Sequence, residues 1–334
     1  MTPVKTQRVG KIAAAAVICF FMISIMANAG NDNTPVMPLK FKADNTFKVV
    51  QFTDIQDGPK LDPRTIKLIN NVLDYEKPDL VVITGDSLDD RCKSVQSVKK
   101  AIDNIAQPME TRQIPWAVVF GNHDEEQGNM TEAEMLKVYM SYPHNLSRFG
   151  PENVYGTGNY NLLIAGAKDK KPAFNIYMLD SGRYAKGGVG VYDWIKTSQI
   201  EWYRDTALSL KKQYGRTIPA LMFFHIPLPE FRQMWESGKA KGARNEEEGA
   251  PMVNSGLFTS VVEMGDVKGI FVGHDHTNDY VGEMYGIRLG FSRNTGFGTY
   301  GKDGFSRGAR VFLIKESDPE HFETWMRLAT DFKQ

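Results

Sequence analysis

Cysteine is scarce: the 334-residue chain has two, Cys19 and Cys92. So few thiols provide neither a disulfide framework nor a thiolate zinc motif, and stability must come from a buried core. An excess of charge is also missing. Forty Lys and Arg balance forty Asp and Glu, which leaves no global field to gather nucleic acid or an anionic membrane. Internal repeats, low-complexity tracts and Pro/Ser/Gly-rich linkers are absent too, which favours one large α/β domain over two small ones. With 42% hydrophobic and 24% charged residues, the composition excludes disorder, collagen and coiled coil.

The N-terminal apolar stretch, Ile12 to Met26, falls short of the ~20 residues a membrane helix needs. It follows Lys5, Arg8 and Lys11 and precedes Ala27-Asn28-Ala29. A basic start, an apolar middle and an A-x-A end form a secretory signal. Residues 1–29 are therefore expected to be a signal peptide cleaved after Ala29, with 30–334 the mature domain, periplasmic or secreted and without a stable membrane span. Cys19 is not a lipid-attachment site, because Ile18 before it is bulky. Cleavage removes three of the 40 basic residues and no acidic one, so the mature chain is slightly acidic. Its one remaining thiol, Cys92, sits in a polar stretch and reads as a bystander.

Short, nearly continuous apolar runs dominate the rest: Val49–Phe52, Leu80–Ile83, Trp116–Phe120, Phe174–Leu179, Ala220–Phe224 and Gly269–Val272. Such runs are strands buried on both faces of a helix-covered sheet. Helical patterns lie between them. Asp62-Pro63 supplies an N-cap and a first-position proline ahead of the Ile66, Ile69, Leu73 stripe. Ser94–Ile105, Thr131–Met140 and Ser198–Leu210 read similarly. After residue 278 the texture becomes Gly-rich short strands, Tyr280–Met284, Ile287–Phe291 and Ala309–Ile314, with a helix expected only from about Pro319. The acidic run Glu246-Glu247-Glu248 reads as a solvated loop.

All but one of the apolar runs lead directly into residues of metal-ligand type: Asp54 and Gln56, Asp86, Asn122-His123-Asp124, His225, then His274 and His276. Residues just past the carboxyl ends of neighbouring parallel strands converge, and open α/β sheets build their sites there. Glycines before several of them let the backbone turn sharply off the strand. His274 and His276, two apart, point to one side if the backbone is extended. Four of the six histidines fall at strand ends, which no packing requirement explains. His144 and His321 lack that context and read as surface residues. Arg183 and Arg293 are candidate phosphate contacts, with a surface role the competing reading.

The order D-x-Q, GD, GNHD, H, GHxH resembles the calcineurin-like metallophosphoesterase superfamily. The stretches Phe224–Glu230, Asn254–Gly256, Gly265–Lys268, Gly273–Asp279 and Tyr300–Val311 are similar to a small purple-acid-phosphatase-like branch found in plants and fungi. The resemblance implies an α/β fold, a four-layer α/β/β/α sandwich with two mixed β-sheets flanked by helices. It implies two divalent or trivalent metal ions, Mn, Fe or Zn given a nitrogen and oxygen donor set. One would be held by Asp54, Gln56, Asp86 and His276, the other by Asp86, Asn122, His225 and His274, with Asp86 bridging. A metal-bridging hydroxide would attack a phosphomonoester or phosphodiester while His123, oriented by Asp124, protonates the leaving oxygen. The partner is then a small-molecule or macromolecular phosphoester. The chain departs from the pattern at Gln56, where the family has His, and at Asp89, where purple enzymes carry a tyrosinate. Competing readings are a strict phosphodiesterase and a degenerate metal- or phosphate-binding module. A pure binding module has no use for His123.

Overall fold

A computed structural model of the chain describes residues 39–126, 130–168 and 171–332. The expected signal peptide lies outside the described residues, among which no helix is long and apolar enough to cross a membrane. Helix starts follow their capping chemistry. Asp62 accepts from the Arg64 N–H and Pro63 opens α1, Pro63–Glu76. Ser94 and Thr131 form capping boxes with Ser97 and Glu134, starting α2, Val95–Thr111, and α3, Glu132–Met140; each box satisfies two otherwise orphaned N–H groups. The buried stripe of α1 is Leu68, Ile69, Val72 and Leu73, so the stripe expected to begin at Ile66 is rotated and Ile66 is only half-buried.

The expected buried runs become strands. The first sheet has the order β11-β10-β1-β2-β3, built from β1 (Thr46–Phe52), β2 (Leu80–Thr84), β3 (Trp116–Val119), β10 (Gly308–Lys315) and β11 (Glu323–Leu328). Strands β1, β2 and β3 run parallel, whereas β10 and β11 are antiparallel additions. The second sheet has the order β4-β5-β6-β7-β9-β8. Its members are β4 (Tyr160–Ala165), β5 (Pro172–Met178), β6 (Ala220–Phe223), β7 (Val267–Val272), β8 (Val281–Met284) and β9 (Ile287–Phe291). Strands β5, β6, β7 and β9 are parallel, with β4 and β8 antiparallel at the edges.

Three apolar layers hold these sheets. Side chains of α1, α2 and α3 cover one face of the first sheet. Between the sheets lies a second layer rich in phenylalanine. The third joins the second sheet to α4 (Thr197–Tyr214), α5 (Glu230–Glu236) and α6 (Leu257–Met264). The result is the expected four-layer sandwich of two mixed sheets flanked by helices.

The elements that differ from expectation share a cause. Strand β4 alternates buried and half-buried residues, and β11 is a half-exposed edge, so neither forms a continuous apolar run. In place of the helix expected from about Pro319, β11 pairs with β10, followed by one 3-10 turn at Ala329–Asp331. Helices α5 and α6 span only seven and eight residues, too short for periodicity to stand out.

In the middle layer, Phe312 is fully buried. Its ring meets Phe271 at 4.5 Å and Phe223 at 5.4 Å, both edge to face. Phe312→Ala removes the ring from both sheets at once and should lower stability by ~3–5 kcal/mol. Urea unfolding followed by far-UV circular dichroism measures it, and an unchanged midpoint would show that this contact does not hold the sheets together.

Candidate metal centre

Five strands deliver the candidate ligands. Asp54 and Gln56 follow β1, Asp86 follows β2, Asn122 follows β3, His225 follows β6, and His274 and His276 follow β7. All seven are buried. Asp86 Oδ2 lies 3.1 Å from His225 Nε2, which is 3.3 Å from His274 Nδ1. Single donor atoms of Asp86, His225 and His274 all fall within 4.8 Å of one another. Asp54 Oδ1 is 3.3 Å from His276 Nε2 and 4.0 Å from His225 Nε2.

Most of these side chains are aimed by a second contact. Asp54 Oδ2 accepts from Thr53 Oγ1 at 2.7 Å and from the His274 N–H at 3.0 Å, leaving Oδ1 toward the cluster. Asp86 Oδ1 accepts from the His123 N–H at 2.8 Å. His225 Nδ1 is 2.8 Å from the Thr84 carbonyl, which can only accept, so Nδ1 carries the proton and Nε2 faces Asp86. His276 Nδ1 meets the Tyr300 carbonyl at 3.1 Å, and the Tyr300 ring stacks on its imidazole at 3.9 Å. The edge of Tyr192 packs against His274 at 4.4 Å.

Backbone strain is concentrated here. Asp54, Gln56, Asp86 and His274 have φ of 49°, 35°, 47° and 73°, a left-handed region that side chains with a Cβ avoid. His274 and His276, two apart, are therefore not in extended backbone as expected; the chain turns at His274. Two glycines permit the crowding. A Cβ on Gly121 would lie 2.2 Å from Asp86 Oδ1, and one on Gly273 would lie 1.9 Å from Thr53 Oγ1.

Charge is packed as tightly as atoms. Burial would lower the His225 pKa, yet Asp86 and Asp54 push it up to about 10. Burial, followed by the charge of His225, pushes His274 down to about 3. Burial would raise Asp86, but His225 and the His123 N–H hold it below the ordinary carboxylate range. Three buried oxygens, Asp54 Oδ1, Gln56 Oε1 and Asn122 Oδ1, have no hydrogen-bond partner among the described residues. Such acceptors are costly when left unmade. They belong to three predicted ligands, so the residues fit a bound cation: oxygens for it to satisfy, imidazoles with aimed nitrogens, and carboxylates to balance its charge.

Asp124 does not meet the expectation that it orients His123. Its Oδ1 accepts from the Ser87 and Leu88 N–H groups at 2.8 and 3.1 Å, and its Oδ2 from the Gly121 N–H at 2.8 Å. The carboxylate thus ties the loop after β2 to the loop after β3, while burial and then Asp86 push its pKa up to about 6. His123 instead has Nδ1 2.5 Å from Glu126 Oε2, and Glu126 Oε1 accepts from Tyr184 Oη at 2.5 Å. Tyr184 Oη also receives Asn122 Nδ2 at 3.1 Å. Glu126 was not expected; it is one of two glutamates directly after the GNHD motif.

The other candidates separate. Arg183 braces the site, donating to the Asn122 carbonyl at 3.1 Å and to Glu125 at 2.6 Å. Arg293 is tied to Asp279 at 2.7 Å and lies over Phe305, a structural role. Asp89 pairs with Arg91. Half-buried His144 binds Glu110 at 2.7 Å, and exposed His321 binds Asp318. The thiol of Cys92 is buried in the first helix layer, and burial pushes its pKa up to about 11. The acidic run is not simply solvated. Glu248 is buried on Arg244, Arg232 and Tyr280, while Glu246 accepts from the Thr277 N–H, one residue past His276, and from Tyr300 Oη at 2.9 Å.

Gly121→Ala drives a methyl group into Asp86 and should reduce bound metal at least several-fold while far-UV circular dichroism stays native. Elemental analysis of the purified variant reads this out, and full metal content would place Asp86 outside the metal's reach.

A family profile for calcineurin-like phosphoesterase matches residues 47–278. The chain is 37% identical over 307 residues to a protein from Arabidopsis thaliana named probable inactive purple acid phosphatase 14, covering 82% of this chain and 76% of that protein. It is 36% identical over 330 residues to probable inactive purple acid phosphatase 29 of the same plant, covering 87% and 84%. With phosphatase DCR2 of Saccharomyces cerevisiae it shares 34% identity over 339 residues, covering 89% of this chain and 56% of the yeast protein. A crystal structure of a dimetal phosphatase from Danio rerio superposes with TM-score 0.53 at 12% identity, over 84% of this chain and 98% of that one; at that identity the likeness concerns the fold. The sandwich, the strand-end motifs and these matches together place this chain in the calcineurin-like phosphoesterase family.

Proposed function

We propose that the chain is an exported phosphoesterase that hydrolyses phosphomonoesters or phosphodiesters at a centre of two metal ions. The observation that carries the reading is the buried cluster of Asp86, His225 and His274, joined by Asp54 and His276, with the Asp54, Gln56 and Asn122 oxygens buried and unsatisfied. One metal would be held by Asp54, Gln56, Asp86 and His276, the second by Asp86, Asn122, His225 and His274, and Asp86 would be shared. When bound, such a pair supplies Lewis-acid neutralisation of phosphate charge and acidifies a water at neutral pH. The nitrogen and oxygen donors suit Mn, Fe or Zn, and the Gln56 amide is the weakest of them. Export rests on the N-terminal signal pattern.

The chain's own contribution to bond cleavage is proton donation. His123 stands outside the ligand set, and its side chain is 39% exposed where a substrate can reach it. Its backbone N–H is fixed on Asp86 and its ring on Glu126, so the imidazole is held beside the centre without ligating it. A proton delivered to the departing alkoxide contributes typically ~10²–10⁴-fold in rate. Arg183, braced on the Asn122 carbonyl, fixes the loop that carries both Asn122 and His123.

A second reading has two observations in its favour. Gln56 replaces the family's histidine, and the two Arabidopsis relatives carry the word inactive in their names. A metal- or phosphate-binding module would keep the ligands and discard the acid, whereas here His123 and its Glu126 partner are both in place.

His123→Ala separates the two. Metal content should be retained, and turnover of an alkyl phosphate should fall ~10²-fold or more. A nitrophenyl phosphate, whose leaving group needs little protonation, should lose much less. Equal losses on both substrates would remove His123 from the acid's role, and a wild-type protein that turns over neither would favour the binding module.

A further inference from the structure

A cavity of about 990 Å³ opens between α1, the 292–307 loop and the 329–332 segment. Its lining combines the cations Arg64, Lys67 and Arg307 with the rings of Phe297, Phe305 and Phe332. Lys302 adds a fourth cation, and Asp303 is the one carboxylate among the described lining residues.

Arg64 is paired with Asp62 at 2.7 Å, whereas Lys67 and Arg307 have no carboxylate partner among the described residues. Arg307 is half-buried. One of its terminal nitrogens donates to the Thr299 carbonyl at 2.9 Å, but its Nε is buried with no acceptor. Burial, followed by the neighbouring Arg64 cation, holds the Arg307 pKa below the usual guanidinium value. Both guanidiniums flank one ring: Arg64 lies 4.8 Å and Arg307 5.7 Å from the Phe297 centroid. Lys67 is exposed and has no ion-pair partner among the described residues. A half-buried cation without a carboxylate, beside a second unpaired cation, is costly unless an anion joins them, and the phenyl rings lining the same cavity suit an apolar body.

We propose that this cavity is a second ligand site, taking a small molecule that carries a phosphate-type anion on an aromatic ring, separate from the metal centre. The anion would sit on Lys67 and Arg307, with the Asp62-paired Arg64 beside them, and the ring against Phe297 and Phe332. The site is connected to the centre through one loop, because Tyr300 in that loop holds His276 by its carbonyl and its ring.

The test is calorimetric titration of the full, metal-loaded chain with phenylphosphonate, an aryl phosphorus oxyanion with no ester to cleave, alongside inorganic phosphate. The wild type should show one binding event more than Lys67→Glu and Arg307→Met, or that event should weaken by about tenfold or more in both. It should weaken with added salt and favour phenylphosphonate over phosphate. Nitrophenyl phosphate turnover in Lys67→Glu should remain within about twofold of wild type, since neither its charge nor its position touches the centre. Identical titrations for wild type and Lys67→Glu would overturn the site, as would equal binding of the two anions at it. If Arg307→Met unfolds, exposed Lys67→Glu decides alone. Binding is read without turnover, so an inactive metal centre and an empty cavity are distinguishable results.

Discussion

The carboxylate of Asp86 is the constraint around which the site is arranged. It is buried, charged and held at a left-handed backbone angle, and each of its oxygens is committed, one to the His123 N–H and one to His225. That arrangement brings the two sheets together at their polar end, because Asp86 follows β2 and His225 follows β6. Two more contacts close the same gap: His225 Nδ1 on the Thr84 carbonyl, and Gln51 Nε2 bridging Thr84 and the Val272 carbonyl. Elsewhere the sheets meet mainly through an apolar layer rich in phenylalanine. The apolar layer therefore sets the spacing and the strand ends use it, presenting donors from both sheets to one small volume.

Much of this was legible in the chain. Runs such as Leu80–Ile83 and Gly269–Val272 are apolar on both faces because helices cover one side of each sheet and the partner sheet covers the other. Residues at the ends of such runs must converge, so Asp54, Asp86, His225, His274 and His276 are found together. Caps at Asp62, Ser94 and Thr131 mark real helix starts because their side chains answer a local need for acceptors.

What was not legible depends on partners distant in sequence or on alternation too weak to register. Strand β11 exists because β10 offers it an edge, not because Glu323–Leu328 is strongly apolar. Asp124 has the right type and position to hold His123, yet backbone N–H groups of two loops claim both its oxygens. Glu126 takes that role through a turn that sequence spacing alone does not specify. Glu248 looked like one member of a solvated acidic run; its burial follows from Arg244, Arg232 and Tyr280 closing over it. The left-handed φ of His274 likewise accompanies its N–H bond to Asp54, a partner that only the assembled fold supplies.

The proposed donor set would serve two cations, with Asp86 common to both. Metal content per chain is therefore the most direct measurement. The purified protein should be equilibrated with Mn, Fe or Zn in excess, freed of loose metal by gel filtration and analysed by inductively coupled plasma mass spectrometry. About two ions per chain is the expected result. A saturating value of one would mean that Gln56 leaves the first site unable to hold its ion, and no bound metal would contradict a metal centre at these strand ends.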